Sequence, residues 1–326
     1  MMVNTDRAKL QYMVGGLLYS PAMNTGLASK ILKAAFPCLT SVAICLEDSI
    51  CDESLEEAEK TLFRTLETLS EGGITKKDHP LLFVRIRTPK HMTHIYNFLK
   101  PFRDIITGYI LPKYDLSNCE EYKQVILDIN AESEVPVFIM PILESQVTAD
   151  LRTRADTLVA IKKNLDSMKE YVLNVRVGGN DLSNLYGLRR GVDQNIYQIG
   201  VIRDILSDVI NVFASDYIVS GPVWEYFGKD PDAPWATGLR SELELDRLNG
   251  FIGKTAIHPC QLPLIYESLK PKKSDYDDAL RILGWNSSGL GVEKSMDGSR
   301  MNEVKCHQKW ASSIAALGEI FGIREE

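Results

Sequence analysis

Three charged side chains that accompany short apolar runs have types that suit a metal ion and an anionic substrate. Glu144 and Asp181 come after two successive apolar runs, and Arg85 lies in an earlier one. Mg2+ prefers oxygen ligands and commonly takes one or two carboxylates together with waters and substrate oxygens. A guanidinium beside such an ion can hold a carboxylate or carbonyl oxygen through two hydrogen bonds. The three residues therefore predict a site for Mg2+, with Mn2+ as the alternative ion, that stabilises an enolate.

The apolar runs that carry these residues alternate with longer helix-like segments. Residues 53–69, for example, place leucine or alanine three or four positions apart, which gives a helix one buried stripe. Runs that are apolar on both faces and separated by single helices indicate a parallel sheet covered by helices. Eight such units close into an α/β fold, the (β/α)8 TIM barrel. The alternative is an open doubly wound sheet, but no glycine-rich fingerprint follows the first run. The eight runs are 14–19, 41–46, 81–86, 106–111, 135–142, 171–177, 217–219 and 254–257.

A polar or charged residue ends nearly every predicted strand, and barrel enzymes place their chemistry at that rim. One such residue is typical of the start of a solvated loop, but many charges facing one mouth would be costly without a function. For His258, a structural histidine and a substrate contact are equally good interpretations. For Lys113, a Schiff base is an alternative that the metal pair makes redundant. Besides the three residues above, the rim carries Ser20, Glu47, Asp48, Arg87, Lys113, Gly179, Ser220 and His258.

The composition limits the class of protein. The net charge of −7, from 37 basic and 44 acidic residues, argues against nucleic-acid binding. The six cysteines include no CxxC pair, which favours reduced thiols. There is neither a signal peptide nor an apolar run of about 18 residues. We therefore expect a cytoplasmic protein that does not contact a membrane.

The last part of the chain departs from the alternation of strands and helices. After residue 271 come a polar stretch, a helix at 276–283, a Gly/Ser-rich segment at 285–298 and a last apolar helix at 310–321, with no further strand. Residues 287–291 have the composition of a flexible connection. We therefore expect a catalytic barrel domain over residues 1–270 and a C-terminal helical lid over residues 271–326.

Seven motifs, in chain order, resemble those of the HpcH/HpaI aldolase and citrate lyase β-subunit superfamily. Each is short, but together they cover most of the chain and fall on the predicted strands. They are Leu-Tyr-Ser-Pro at 18–21 with Lys30 or Lys33 after it, Leu-Glu-Asp-Ser-Ile at 46–50, Val-Arg-Ile at 84–86, Leu-Pro-Lys at 111–113, Leu-Glu-Ser at 143–145, Gly-Gly-Asn-Asp-Leu at 178–182 and Gly-Phe-Ile-Gly-Lys-Thr-Ala-Ile-His-Pro-Cys-Gln at 250–261.

This resemblance implies a Mg2+-dependent carbon–carbon lyase that acts on a small 2-oxo or 2-hydroxy carboxylate. Glu144 and Asp181 would hold the metal, and Arg85 would neutralise the developing enolate. Glu47 and Asp48 would position water at the metal and the substrate hydroxyl. The resemblance also implies a homotrimer or hexamer in which the lid of one subunit reaches a neighbouring active site. Some members of the superfamily take a coenzyme A ester as substrate.

Three positions depart from the superfamily pattern. Cys45 stands where an Asp precedes Leu-Glu-Asp. Arg87 replaces the Asn after Val-Arg-Ile, and its added charge would favour a more anionic substrate. Asn302 stands where the tail motif has its second Asp, and an amide cannot transfer a proton as a carboxylate does.

Three functions remain open on this basis. The first is a lyase that acts on a malyl- or citramalyl-like acyl-CoA. The second is an aldolase that makes or cleaves a bond between pyruvate or phosphoenolpyruvate and a larger partner, which Arg87 and Asn302 favour. The third is a non-catalytic barrel subunit, against which the intact Glu144, Asp181 and Arg85 argue.

Overall fold

Eight parallel strands form a nearly closed barrel, which confirms the predicted fold. They belong to the first of two units of the chain, Met1–Leu264 and Ile265–Glu326. The computed structural model describes residues 2–75, 80–285, 291–295 and 298–325. The barrel strands are β1 (Gly16–Pro21), β2 (Ser41–Cys45), β3 (Leu81–Arg85), β4 (Ile106–Leu111), β5 (Phe138–Leu143), β6 (Val175–Val177), β7 (Val219–Ser220) and β8 (Lys254–Ala256).

The barrel closes through two different kinds of contact. From β1 to β7 each strand pairs with the next one in sequence, and β1 also pairs with β8. Between β7 and β8 the link is a single parallel bridge from Gly221 to Lys254, where the Gly221 N–H donates to the Gly253 carbonyl at 2.9 Å. Strands β1–β5 have five or six residues, whereas β6–β8 have two or three. Backbone pairing is therefore extensive in one half of the barrel and sparse in the other.

Helices of the first unit surround the strands, and their apolar faces explain why they form. In the helix that follows β2, Ala58, Leu62, Leu66 and Leu69 are fully buried at the spacing that the sequence predicts. The helix after β3 begins with Thr88, whose side chain accepts the His91 N–H, and has a proline at its first turn. The helices are α1 (Met2–Met13), α2 (Leu27–Leu32), α3 (Leu55–Glu71), α4 (Pro89–Phe98), α5 (Cys119–Glu132), α6 (Gln146–Ala149), α7 (Arg154–Asp166), α8 (Gly179–Leu185), α9 (Gly200–Phe213), α10 (Pro234–Leu248), α11 (Leu262–Leu269), α12 (Lys273–Leu283) and α13 (Val304–Phe321).

Alternation along β3 decides which of its side chains face the barrel interior. Leu81 and Phe83 belong to the inner apolar cluster, and Leu82 and Val84 belong to the cluster between strands and helices. Because successive side chains of a strand point to opposite faces, Arg85 shares the inward side with Leu81 and Phe83. The same parity holds in β5, where Phe138, Met140 and Ile142 face inward and lead to Glu144. The two charged residues therefore reach the mouth of the barrel from its interior face.

The second unit contains an element that the sequence analysis did not predict. Two short antiparallel strands, β9 (Val292–Lys294) and β10 (Met301–Glu303), pair Met301 with Lys294. The expectation of no further strand is therefore wrong, because three-residue polar strands carry no apolar pattern. The predicted helices correspond to α12 and α13, which begin earlier than expected and pack through Ala279, Ile282, Ala311 and Ile314. Most of the flexible connection expected at 287–291, and Asp297 of the tail motif, lie outside the described residues.

None of the helices in the described part of the chain has the length and apolarity needed to span a bilayer.

Candidate active site

The guanidinium of Arg85 joins three of the predicted carboxylates at the mouth of the barrel. Its Nη2 atom lies 2.8 Å from Glu47 Oε2, 2.9 Å from Asp48 Oδ2 and 3.5 Å from Glu144 Oε1. Below the guanidinium lies the ring of Tyr19, with its centroid 5.7 Å from Arg85 Cζ. Arg85 Nε is buried and makes no hydrogen bond within the described part of the chain.

Lys113, which follows β4, contacts the same carboxylates from a second side. Its Nζ atom lies 2.9 Å from Glu47 Oε1 and 3.5 Å from Asp48 Oδ1. Its backbone N–H donates to Glu144 Oε1 at 2.9 Å. Lys113 has a φ of 49°, a left-handed conformation that is uncommon for a residue with a side chain. The structure therefore brings together Arg85, Glu47, Asp48, Glu144 and Lys113, all predicted from the sequence.

Glu144 is the most deeply buried of these carboxylates. Its pKa is raised to about 8: burial raises it most, the attraction of Arg85 lowers it in part, and the negative charge of Asp181 raises it. Asp181 lies in the first turn of α8 rather than on β6, yet it is close enough to act on Glu144 electrostatically. At Gly178 an added Cβ would stand 2.0 Å from Glu144 Oε2, so the glycine leaves the space that this carboxylate occupies.

This arrangement fits a hard divalent cation. Burial, together with the negative charge of Asp181, raises the pKa of Glu144, and a bound cation would favour the ionised carboxylate. Within the described residues, no three His, Cys, Asp or Glu side chains are grouped so that they could hold a metal by themselves. Two protein carboxylates with remaining positions for water and substrate are what Mg2+ commonly takes. Glu144 and Asp181 are the two residues that would hold it.

Arg87 lies at the rim but contacts the loop after β2. Its Nε donates to the Leu46 carbonyl at 2.7 Å, and its Nη2 donates to the Ile50 carbonyl at 2.6 Å. Its Nη1 contacts the carboxylate of Asp52. The guanidinium that the sequence predicts as a substrate contact therefore has three partners within the protein.

The other predicted substrate contacts also have protein partners. Ser20 Oγ accepts from Asn24 Nδ2 at 3.0 Å, and Ser220 Oγ donates to the Ile252 carbonyl at 3.0 Å. The ring of His258 stacks on Phe227 with centroids 4.6 Å apart, and its Nδ1 accepts the Cys260 N–H at 3.2 Å. Gly179 begins α8, and an added Cβ would stand 2.7 Å from side-chain atoms of Ile196 and Pro222. Within the described part of the chain, these contacts do not link the four residues to the Arg85 cluster.

A buried arginine inside the barrel was missed by the sequence analysis. Arg176 on β6 is 2% exposed, and its Nη2 donates to Thr255 Oγ1 at 2.7 Å. Burial lowers the pKa of Arg176, whereas Tyr19 raises it by its charge and a hydrogen bond. Tyr19 thus lies between Arg176 and Arg85. A charged residue in the middle of the apolar run 171–177 was the signal that could have identified it.

A buried ionic network between α10 and β8 was missed as well. Lys254 Nζ lies 2.9 Å from Glu242 Oε1 and 2.7 Å from Asp246 Oδ2. Arg190 Nη1 lies 2.9 Å from Glu242 Oε2. Tyr197 donates its hydroxyl to Asp246 Oδ1 at 2.7 Å. Two acidic residues one helical turn apart, together with a lysine in a strand, were the available signal.

A cavity of about 380 Å3 with a mixed polar and apolar lining lies beside α8, the helix that carries Asp181. One face of α8 contributes Asn180 and Asn184, and the segment after it contributes Arg189, whose Nε lies 3.3 Å from Glu225 Oε1. Ile196 adds an apolar wall. The volume is within the usual range for small-molecule sites, and the lining offers amide, guanidinium and carboxylate groups.

Solved structures with the same fold include several described as citrate lyase proteins. The CitE protein of Mycobacterium tuberculosis in complex with magnesium, acetoacetate and coenzyme A is 18% identical, with 94% of this chain and 98% of that chain covered and a TM-score of 0.61. A citrate lyase from Burkholderia xenovorans LB400 is 14% identical, with coverage of 96% and 93% and a TM-score of 0.68. The citrate lyase β subunit of M. tuberculosis with oxaloacetate and magnesium is 19% identical, with coverage of 79% and 97% and a TM-score of 0.53. At these identities the likeness shows the fold.

Comparison of the amino-acid sequence with models of protein families identifies the family of the chain. No curated protein sequence matches the chain. A family model described as the C–C bond lyase of the TIM-barrel fold matches residues 8–323, which is nearly the whole chain. Together with the structural neighbours, this match confirms the predicted resemblance to citrate lyase β-type enzymes. The chain belongs to the carbon–carbon bond lyases of the TIM-barrel fold.

Proposed function

We propose that this lyase is Mg2+-dependent and cleaves a 2-oxo or 2-hydroxy carboxylate by a retro-aldol or retro-Claisen reaction. The observation that carries the proposal is the convergence of Arg85, Glu47, Asp48 and Glu144 at the carboxyl ends of neighbouring strands. The match to a C–C bond lyase family supports the reaction class. Solved structures of the M. tuberculosis citrate lyase protein with magnesium and oxaloacetate, pyruvate or acetoacetate support the ion and the substrate class.

Each group of side chains at the site has a separate role in the proposed reaction. When bound by Glu144 and Asp181, Mg2+ would polarise a carboxylate or carbonyl oxygen of the substrate. An N–H of the Arg85 guanidinium is the donor that would stabilise the oxygen that gains negative charge as the bond breaks. One such donor contributes about 3–4 kcal/mol to the transition state. A carboxylate oxygen of the Glu47–Asp48 pair takes the proton of the substrate hydroxyl, and Lys113 holds that pair in place.

A second candidate is an aldolase that joins pyruvate or phosphoenolpyruvate to a larger partner without coenzyme A. The cavity beside α8 favours this version, since the polar part of its lining, Asn180, Asn184, Arg189 and Glu225, suits a hydroxylated partner. A thioester lyase is favoured instead by the relative that binds coenzyme A. Asn302, in the second unit, is buried and its Nδ2 makes no hydrogen bond to any described residue.

One experiment separates these versions. The purified protein is incubated with Mg2+ and either a panel of malyl- and citramalyl-type thioesters or a panel of 2-oxo-acid aldols, and product formation is followed by NMR. We expect cleavage in one panel, its loss on chelation and in Glu144→Ala, and full activity in Glu57→Gln, an exposed carboxylate on α3. A protein that is inert to both panels with Mg2+ and Mn2+ contradicts the proposal and favours a non-catalytic barrel.

We also propose that the protein acts in the cytoplasm as a homotrimer or hexamer whose residues 271–326 cover a neighbouring active site. The net charge of −7 supports a protein without a nucleic-acid partner. Light scattering during size exclusion tests the assembly. A mass of a single 36.6 kDa chain would contradict it.

A further inference from the structure

The loop that carries Glu47 and Asp48 is fixed at both ends by one side chain. Arg87 donates from Nε to the Leu46 carbonyl and from Nη2 to the Ile50 carbonyl, at 2.7 and 2.6 Å. These two carbonyls stand immediately before and shortly after the acidic pair. The Ile50 N–H also donates to the Glu47 carbonyl at 2.9 Å, so residues 47–50 form a closed turn. The guanidinium of Arg87 spans that turn.

The geometry of these bonds requires a guanidinium. Nε and Nη2 form one edge of its planar fork, and that edge meets two carbonyl oxygens at once. The third nitrogen, Nη1, contacts Asp52, which is largely exposed. A lysine in this position would keep the positive charge, but its single ammonium cannot reproduce the two-point grip on the backbone. A substitution of Arg87 by lysine therefore separates the contribution of the positive charge from that of the planar guanidinium.

The backbone of Arg87 is itself held from the opposite side. Its N–H donates to His91 Nδ1 at 3.0 Å, and His91 Nε2 lies 3.0 Å from Glu59 Oε1 on α3. His91 lies in the first turn of α4, three residues after the N-cap Thr88. Arg87 is thus anchored to two outer helices and extends its fork toward the acidic loop. Its side chain is only 19% exposed, which leaves little of the charge for a ligand in solution.

We propose that Arg87 is a positioning residue that sets the Glu47–Asp48 pair against Arg85, rather than a contact to the substrate. Two arginines of one strand end then act on the same pair: Arg85 on its carboxylates, and Arg87 on its backbone. The Leu46 N–H, which donates to the Arg85 carbonyl at 3.0 Å, completes the connection. The effect on catalysis rests on the proposed function, whereas the effect on the loop does not.

The test compares Arg87→Lys and Arg87→Met with two controls. Arg64→Met removes an exposed arginine of α3, and Asp52→Ala removes the exposed carboxylate while both carbonyl bonds remain. Hydrogen–deuterium exchange of residues 46–50 requires no substrate. We expect exchange about tenfold faster in both Arg87 variants, because hydrogen bonds to a charged group are lost, and wild-type exchange in both controls. Thermal melts confirm that each variant is folded.

Kinetics supply the second readout. With an active substrate, both Arg87 variants should lose about tenfold or more in kcat with little change in KM, and lysine should not rescue the loss. A higher KM with unchanged kcat in Arg87→Met, together with a wild-type KM in Arg87→Lys, would overturn the proposal in favour of a substrate contact. Unchanged exchange at 46–50 in Arg87→Met, or faster exchange in Asp52→Ala to the same extent, would also overturn it. If the wild type cleaves nothing, the proposed function fails while the exchange result still decides the role of Arg87.

Discussion

The backbone N–H of Lys113 and the side chain of Glu144 tie the ends of two neighbouring strands together by a hydrogen bond of 2.9 Å. The bond forms at Glu144 Oε1, the same oxygen that lies 3.5 Å from Arg85 Nη2. One oxygen of Glu144 is thus oriented by two donors. The left-handed backbone of Lys113 accompanies this contact, and strained conformations of this kind are concentrated at functional sites.

Glu144→Gln should separate metal binding from stability. The pKa of Glu144 is raised to about 8 mainly by burial, so the neutral amide should leave the metal-free protein at least as stable as the wild type at pH 8.5. The same variant should lose the stabilisation that Mg2+ gives the wild type. Thermal melts with and without Mg2+ measure both effects. A variant that keeps the full Mg2+-dependent shift would show that Glu144 is not a ligand.

Gly178→Ala should disturb the site through steric contact. The new methyl group would stand 2.0 Å from Glu144 Oε2 and 2.5 Å from Glu144 Cβ. Overpacking of this kind costs about 1–3 kcal/mol, and the displaced carboxylate should bind Mg2+ more weakly. Urea unfolding and calorimetric titration with Mg2+ measure the two effects.

Gly200→Ala is the matched control for this change. No atom lies within 4 Å of an added Cβ at Gly200, the first residue of α9, so we expect a gain of about 0.4–1 kcal/mol. Equal behaviour of the two variants would contradict the steric argument.

Lys254→Met should be strongly destabilising although methionine fits an apolar site. The substitution leaves Asp246 without its lysine partner and leaves Glu242 with only Arg190 as a cationic partner. The side chains of Lys254, Glu242 and Asp246 are all buried. Removal of one partner from a buried ionic group costs about 3–5 kcal/mol. Lys60→Met, which breaks an exposed pair with Glu56, should cost far less. Urea denaturation measures both, and similar losses would show that the buried network is not coupled as the distances indicate.

Stability should fall on acidification partly because of His91. Burial and the charges of His94 and Arg87 lower the pKa of His91, and Glu59 opposes them only in part. The unfolded chain therefore binds a proton near the ordinary pKa of 6.5 before the folded chain does, so the free energy of unfolding decreases as pH falls below that value. One proton contributes a slope of at most about 1.4 kcal/mol per pH unit.

His91→Asn tests this assignment, since its amide oxygen can still accept the Arg87 N–H but does not titrate. The free energy of unfolding between pH 5 and pH 7.5 should depend less on pH than in the wild type. His94→Asn, at a more exposed position, is the comparison. An unchanged slope in His91→Asn would assign the acid sensitivity to other groups.

The barrel could be predicted because its apolar runs and amphipathic helices repeat, and a sheet and its covering helices require such a pattern. Strand ends were less predictable. The seventh strand was expected at 217–219 and begins instead at Val219, since burial of Tyr217 and Ile218 does not require strand pairing. Asp181 was expected on the end of β6 and lies in α8, because its Gly-Gly-Asn context begins a helix.

Residue types indicated most of the charged cluster but not what each side chain contacts. Parity along β3 places Arg85 inside, whereas the partners of Arg87 depend on the course of the loop after β2. That course arises from hydrogen bonds between segments distant in sequence, and no local pattern records them. For the same reason, Arg176 and the Glu242–Lys254 pair became apparent only in three dimensions.

The uneven strand pairing of the barrel has a consequence for how the substrate specificity of this lyase can change. Glu47, Arg85 and Lys113 follow or end the long strands, where many ladder bonds resist displacement of any one strand. Asp181, Ser220 and His258 belong to the sparsely paired side, next to the single bridge at Gly221. Mutations around Ser220 and His258 can widen or reshape the mouth while Glu47, Arg85 and Lys113 keep their spacing, whereas Asp181 is constrained by its proposed role at the metal. Changes in substrate specificity would then arise first at residues near the single bridge between Gly221 and Lys254.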